Sequence, residues 1–313
     1  MNLPSSPIKF EVILPVSTKD INQLPVTIQY ICKNIASEEI IVISNKSNKT
    51  FALENGADRF IDEDMLINKL TLERVKHLLC ENGGTPLRSG WYFQQFLKMA
   101  YAYVCNNEYY LIWDSDTIPL RKITFFDTSM KCLITMKTEF HVPYFKTIKK
   151  LFSGEIIKLT NKSFIAEHMI IKKQYMINML EKIENNGDLK GEFFYEKIIN
   201  AIDKIDINGA GFSEFETYGN FILAHYPDTF ITRELSMLRD GTNFLEKNMI
   251  NEKILEWISK KYDAISFEEH FYDVLSIKIR SLLKFIVLFR IVPFNIYQYI
   301  FKIVYKTFKA IFS

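Results

Sequence analysis

"YYLIWDSDTIPL", residues 109–120, decides how this chain is read. A run of aromatic and apolar residues stops at two aspartates one residue apart, Asp114 and Asp116, with Ser115 between them. A short apolar run of this length, bounded by polar residues, fits a buried strand. Desolvating one carboxylate is costly, and two together cost more unless a cation neutralises them. Hard oxygen ligands at a strand end therefore point to a divalent metal, Mn2+ or Mg2+.

Working outward, "WYFQQFLKMAYAYV" (residues 91–104) predicts a helix. Phe93, Phe96, Leu97, Ala100 and Val104 recur at helical spacing as a core-facing stripe. Trp91, Gln94, Gln95 and Lys98 fall on the opposite, polar face, and Arg88 lies in the loop before it. A cationic loop feeding a polar stripe suits a phosphate or a sugar; a solvated helix face is the plain alternative. Nearer the N-terminus, "KFEVILPVS", "EEIIVISN" and "DRFIDED" read as strands, with a helix after the first and Asp20 as its N-cap. Beyond the aspartates, "SFIAEHMIIKK" predicts a strand, "QYMINMLEKIE" a helix, "NFILAHYPDTF" a strand and turn, and "EKNMINEKILEWISKKY" a further helix. Strands alternating with helices at this spacing indicate one wound α/β domain with a mostly parallel sheet.

The composition is that of a globular chain, 48% hydrophobic and 24% charged, which excludes disorder. Its net charge of +2 hides an asymmetry. Residues 274–313 hold seven Lys or Arg and no Asp or Glu, so the rest of the chain is mildly acidic. The four cysteines are widely spaced without a CxxC pair, which argues against a zinc site or a disulfide framework and for reduced thiols in a cytosolic chain. The N-terminus lacks the basic and apolar regions of a signal peptide.

Asp-x-Asp occurs twice, and context separates the two. Asp62-Glu63-Asp64 precedes an amphipathic stretch that it can cap. Asp114-Ser115-Asp116 closes an apolar strand, at the edge where open α/β sheets bind ligands. Two chemistries use that arrangement. A nucleotide-sugar transferase holds a metal against a diphosphate, and a phosphatase of the haloacid dehalogenase type uses the first aspartate as nucleophile. The phosphatase pattern wants Thr or Val where Ile118 stands, and a later acidic pair that the chain lacks. "GAGFSEFETYGNF" supplies Glu214, Glu216 and Tyr218 on what reads as a constrained loop, where a carboxylate suits a general base. His141, His168 and His225 lie in apolar surroundings; each alone fits a satisfied core histidine, and His225 is the preferred candidate for a third metal ligand.

"RSGWYFQQFLK", "LIWDSDTIPL", "EFHVPYF", "SFIAEHMII" and "GFSEFETYGN", in this order, resemble a bacterial family of GT-A-type glycosyltransferases associated with capsule and lipopolysaccharide sugar assembly. The resemblance covers residues 10–240. It implies a GT-A-like, Rossmann-type domain, placed over residues 1–270; the basic amphipathic helical tail over residues 271–313 lies outside the resemblance. It implies a nucleotide-sugar donor bound by Val16, Ser17, Asp62, Arg88, Gln94, Gln95, Lys98, Asp114, Ser115 and Asp116. A lipid-linked or oligosaccharide acceptor would meet His141, Tyr144, His168 and Tyr218, and Glu214 or Glu216 would be the base of an inverting transfer. The chain has no Glu-Asp pair where members of the fold carry one. A catalytically inert sugar- or membrane-binding scaffold is the alternative from another class, and no feature suggests nucleic acid.

The tail carries its own expectation. Its longest charge-free run, residues 291–301, contains Pro293 and is shorter than the roughly 20 apolar residues a membrane span needs. Phe301, Val304, Tyr305 and Phe308 share one helical face, and Lys302, Lys306 and Lys309 another. That pattern predicts an interfacial helix on an anionic membrane, at its cytoplasmic face; a helix packed on the protein's own core, with its lysines solvated, is the plain alternative.

Overall fold

The computed structural model describes residues 8–268 and 274–312. The expected boundary at residue 270 and the first seven residues of the N-terminal stretch lie outside the described residues. The chain falls into two compact units. The first takes in the residues up to Ile28, Ser37–Ser115 and Thr124–Glu234; the second takes in Gln29–Ala36, Asp116–Ile123 and the residues from Leu235 on.

The strands, in chain order, are β1 Phe10–Pro15, β2 Glu39–Ser44, β3 Arg59–Asp62, β4 Tyr109–Trp113, β5 Thr117–Pro119, β6 Cys132–Thr135, β7 His168–Lys172, β8 Phe230–Arg233, β9 Met237–Leu238 and β10 Ala264–Ser266. In the first unit five of them form a sheet in the order β3-β2-β1-β4-β7. β1, β2, β3 and β4 run parallel, and β7 is antiparallel to β4. The fold is thus mixed α/β around a mostly parallel sheet. Val12, Ile13, Leu14, Ile41, Val42, Leu111 and Ile112 are shut off from solvent, because a parallel sheet covered on both faces needs near-continuous apolar strands. Succession runs from β1 outward through β2 and β3, then returns to β4 on the other side of β1. The strand order therefore reverses between β1 and β4. β6 and β8 form a separate parallel pair.

Interleaved with these strands and after them along the chain come α1 Leu24–Asn34, α2 Lys49–Glu54, α3 Leu72–Glu81, α4 Ser89–Ala100, α5 Val142–Leu151, α6 Lys173–Glu184, α7 Phe194–Ala201 and α8 Glu214–His225. A charged residue on the central strand, Glu11, is buried but satisfied. Its carboxylate accepts from the Tyr101 hydroxyl, from Cys105 Sγ at 3.3 Å and from the Asn106 N–H at 3.3 Å, with Arg59 3.7 Å away.

Two local expectations are corrected, and a third, the capping of α3 by the first Asp-x-Asp, is borne out in part. Residues 220–225, read as a strand, belong to helix α8. Ser213 caps it, accepting the Glu216 N–H at 3.2 Å, and Phe215, Tyr218 and Ile222 are buried at i, i+3 and i+7. Gly219 fits this helix interior because the Phe164 ring lies against it; a Cβ there would sit 2.1 Å from Phe164 Cγ. Asp20 does not cap a helix with its side chain; its carboxylate accepts the Ser17 hydroxyl at 2.6 Å. The side-chain cap of α3 is Thr71, while Asp64 accepts the N–H of Leu72 at 2.9 Å and Asp62 accepts that of Asp64 at 3.3 Å.

In the second unit the strands order β5-β10-β9, with β10 antiparallel to β5 and parallel to β9. Its helices are α9 Gly241–Phe244, α10 Glu252–Ser259, α11 Val274–Phe289 and α12 Phe294–Phe312. Phe244, Trp257, Phe294 and Tyr297 pack together, and Trp257 Nε1 donates to the Val292 carbonyl at 2.8 Å. Pro293 stands in the break between α11 and α12, as a residue that cannot continue the first helix and suits the start of the second. Among the described residues no helix is long and apolar enough to cross a membrane.

Candidate active site

The polar face of α4 turns inward. Trp91, Gln95 and Lys98 sit at i, i+4 and i+7, and Gln95 and Lys98 are 4% and 5% exposed. The Lys98 ammonium lies 2.7 Å from Asp114 Oδ1 and 2.8 Å from Glu214 Oε1, 4.8 Å from the centre of the Phe215 ring. Burial disfavours its charge, but the two carboxylates outweigh that and raise its pKa above the ordinary lysine value. Gln95 Oε1 accepts the Glu214 N–H at 3.2 Å, satisfying one of the donors that a helix start leaves unpaired. The solvated-face alternative therefore fails for Gln95 and Lys98, whereas Gln94 is half-buried.

Asp114 follows β4 directly, and its N–H donates to the Glu167 carbonyl at 2.9 Å. Glu167 is itself buried and pairs with Lys137 at 2.5 Å. The preceding Trp113 stacks on His168 with ring centres 4.9 Å apart, and His168 Nε2 lies 2.9 Å from Thr135 Oγ1. Burial, with Arg233 and Lys137 adding positive charge, pushes the His168 pKa well below its ordinary value. Ser115 is buried, and its carbonyl accepts the Thr27 hydroxyl at 2.8 Å. The backbone of the motif is thus pinned from two sides.

Val16 and Ser17 leave β1 at the same carboxyl edge of the sheet as Asp114 and Asp62. The Val16 N–H bonds to the Ile43 carbonyl at 3.0 Å, and its own carbonyl accepts the Ser44 hydroxyl at 2.7 Å. Next to Asp62, burial together with Asp64 and Asp62 pushes the Glu63 carboxyl up to about 7. Asp116 belongs to the second unit. There its carbonyl accepts the Phe267 N–H at 3.0 Å, and Oδ1 lies 3.3 Å from Thr117 Oγ1 and 3.5 Å from Ser266 Oγ.

The remaining candidates are dispersed. Glu216 is fully buried on α8, accepting from Ser163 Oγ at 2.5 Å and Asn220 Nδ2 at 3.0 Å, and burial raises its pKa. The Tyr218 hydroxyl accepts the Lys172 N–H at 3.0 Å in the core. His141 precedes α5 beside Tyr144, ring centres 4.6 Å apart. Arg88 lies 4.3 Å from the centre of the Trp91 ring and donates to the Gly209 carbonyl at 2.7 Å. His225 ends α8, about 16 Å along the axis from Glu214, and faces Glu155 at 3.7 Å. The structure gathers Gln95, Lys98, Asp114 and Glu214, and does not bring His225 to them.

Glu167, Lys137 and Thr27 were missed in the sequence. Only Glu167 left a trace, as a charge directly before an apolar strand. Among the described residues no three His, Cys, Asp or Glu side chains group into a ready-made metal cage. Asp114 and Asp116 each carry carboxylate oxygens of the hard type that Mn2+ or Mg2+ takes.

Fold and site define an α/β protein whose buried lysine joins two carboxylates at the carboxyl edge of its sheet, beside the strand-order reversal. The chain belongs to the family described as "Family of unknown function (DUF6492)", whose model matches residues 9–286. No curated protein matches it. Solved structures to which it is similar include mouse xyloside xylosyltransferase 1 in its apo form, 12% identical with a TM-score of 0.43, covering 83% of this chain and 98% of that one. The apo WbbM bifunctional glycosyltransferase is 11% identical with a TM-score of 0.44, over 86% of this chain and 47% of that one. The galactosyltransferase LgtC, in complex with donor and acceptor sugar analogues, is 10% identical with a TM-score of 0.37, over 82% and 87%.

Proposed function

We propose that the protein is a metal-dependent glycosyltransferase that moves a sugar from a nucleotide-sugar donor to a hydroxyl of a bacterial surface glycan, with inversion. The glycan would be lipopolysaccharide, lipooligosaccharide or capsule. The observation that carries this reading is the position of Asp114 at the end of β4, beside the switch between β1 and β4, as the first carboxylate of Asp114-Ser115-Asp116. Open α/β sheets bind ligands outside the carboxyl ends of their strands at such a switch.

In this account Asp114 and Asp116 would hold Mn2+ or Mg2+ for the donor diphosphate. A bound cation there neutralises the charge that builds on the departing nucleoside diphosphate. Val16, Ser17 and Asp62 flank the nucleoside. Lys98 fixes the Asp114 side chain, and Gln95 fixes the start of α8. Of the two glutamates, Glu214 shares a cation with Asp114, and we assign it the acceptor's proton. Glu216, enclosed by Ser163 and Asn220, orients the same helix start. Arg88 adds positive charge for the donor, and His141 and Tyr144 are offered to the acceptor sugar. Residues 1–270 carry the transfer, and the basic tail places the protein on the cytoplasmic face of a membrane, where a lipid-linked acceptor is presented.

Donor hydrolysis without acceptor tests the reading, scanned over nucleotide sugars with Mn2+ against EDTA. A transferase releases nucleoside diphosphate slowly and only with metal. A phosphatase would instead release phosphate from simple esters, and an inert scaffold would do neither.

A further inference from the structure

The face of the tail that the sequence offers to a membrane is turned inward. Phe301 is buried, its ring centre 5.1 Å from that of Phe244, and Tyr297 is buried with its hydroxyl donating to the Phe244 carbonyl at 2.7 Å. Val304, Tyr305 and Phe308 are half-buried. The exposed apolar surface lies elsewhere. On α11, Ile279, Leu283 and Val287 point into the second unit, and the opposite side shows Leu282, Phe285 and Phe289 to solvent at i, i+3 and i+7. These three are 63%, 62% and 62% exposed. Leu288 beside them and Ile291 at the corner after the helix are exposed too, and the rings of Phe285 and Phe289 touch with centres 4.5 Å apart.

We propose that this outer face of α11 and the corner after it form the surface by which the protein lies on an anionic bilayer. Contiguous apolar patches of this kind mark interaction sites. Charge decides the occupant. Residues 274–313 carry seven cations and no anion. Lys278 and Lys284 stand exposed on α11, and Lys302, Lys306 and Lys309 on α12. Arg280 is excepted, since it turns inward to the Thr242 carbonyl. A second copy of the chain would bring cations against cations across a two-fold contact. A bilayer with anionic headgroups takes both the apolar side chains and the charge. Aromatic rings at headgroup depth serve the same end. The proposal deepens the membrane reading of the tail and is independent of the transfer chemistry.

The test is flotation of the full chain with phosphatidylcholine vesicles, with and without about 30% phosphatidylglycerol, a composition that supplies the negative surface potential. The full chain should float with the anionic vesicles and not with the neutral ones. Phe285→Ser with Phe289→Ser should lower partition at least tenfold and leave the thermal midpoint and donor hydrolysis unchanged, because both side chains face solvent. Flotation of that variant like the parent would remove this face from the account while leaving the membrane reading standing. No flotation of the full chain at low salt would overturn both. A dimer that the same substitutions dissolve, without vesicle binding, would assign the face to self-association instead. None of these outcomes touches the transferase reading, which donor hydrolysis reports separately.

Discussion

Lys98 and Asp114 form a contact of 2.7 Å between the last turn of a helix and the end of a central strand, and the lysine is almost wholly enclosed. A cation so placed is committed to the carboxylates around it. Replacing Lys98 by Met leaves Asp114 and Glu214 without it. Breaking one side of a buried ion pair destabilises by roughly 3–5 kcal/mol. Urea unfolding should show a loss of that order, and Glu214→Gln added to Lys98→Met should recover part of it. A loss under about 1 kcal/mol, the range of exposed pairs, would mean that the contact is not maintained in solution.

Glu214 and Glu216 should separate kinetically. Glu214→Gln should lower kcat by roughly 10²–10⁴-fold with donor binding little changed, the range typical of a lost base. Glu216→Gln should act mainly on stability, since its carboxylate meets Ser163 and Asn220 within the core. Steady-state rates with acceptor, beside nucleotide binding by calorimetry, distinguish the two. Equal and near-normal rates would move the base elsewhere or favour a retaining course.

The pH dependence of stability should carry a signature of His168. Its folded pKa lies well below the ordinary 6.5, so as pH falls through about 6.5 the unfolded chain takes up a proton that the native state refuses. Stability is therefore fully present above that pH and declines below it, by at most about 1.4 kcal/mol per pH unit for one group. Urea midpoints between pH 7.5 and pH 5, on the order of the histidine range, should fall more steeply for the parent than for His168→Gln. Parallel profiles would show that His168 is not buried as described.

Gly219→Ala probes α8. The new methyl would fall on the Phe164 ring, and overpacking of a tight core typically destabilises by about 1–3 kcal/mol. A substitution that raises helix propensity should thus lower the thermal midpoint; a rise would indicate that Phe164 does not pack there.

The central strands were legible because a doubly covered parallel sheet demands unbroken apolar runs, and "VILPV", "IIVIS" and "YYLIW" carry them. Asp114 was legible as a break in such a run. Residues 220–225 were misread because their apolar density suits strand and helix alike, and a glycine in mid-helix argues against a helix unless the Phe164 ring that lies against it is known. The inward turn of Lys98 was invisible because its partners lie 16 and 116 residues away, and helical periodicity reports only which residues share a face. The tail was legible as basic and amphipathic. Which of its faces meets solvent depended on Phe244, which nothing within the tail announces.

The most direct test of the account is donor hydrolysis by the parent, Asp116→Ala and Asp62→Ala proteins in Mn2+ and in EDTA. The account predicts metal-dependent release of nucleoside diphosphate by the parent, its loss in Asp116→Ala together with weakened diphosphate binding, and metal dependence retained in Asp62→Ala with at most weaker nucleoside binding. Full Mn2+-dependent turnover by Asp116→Ala would contradict it.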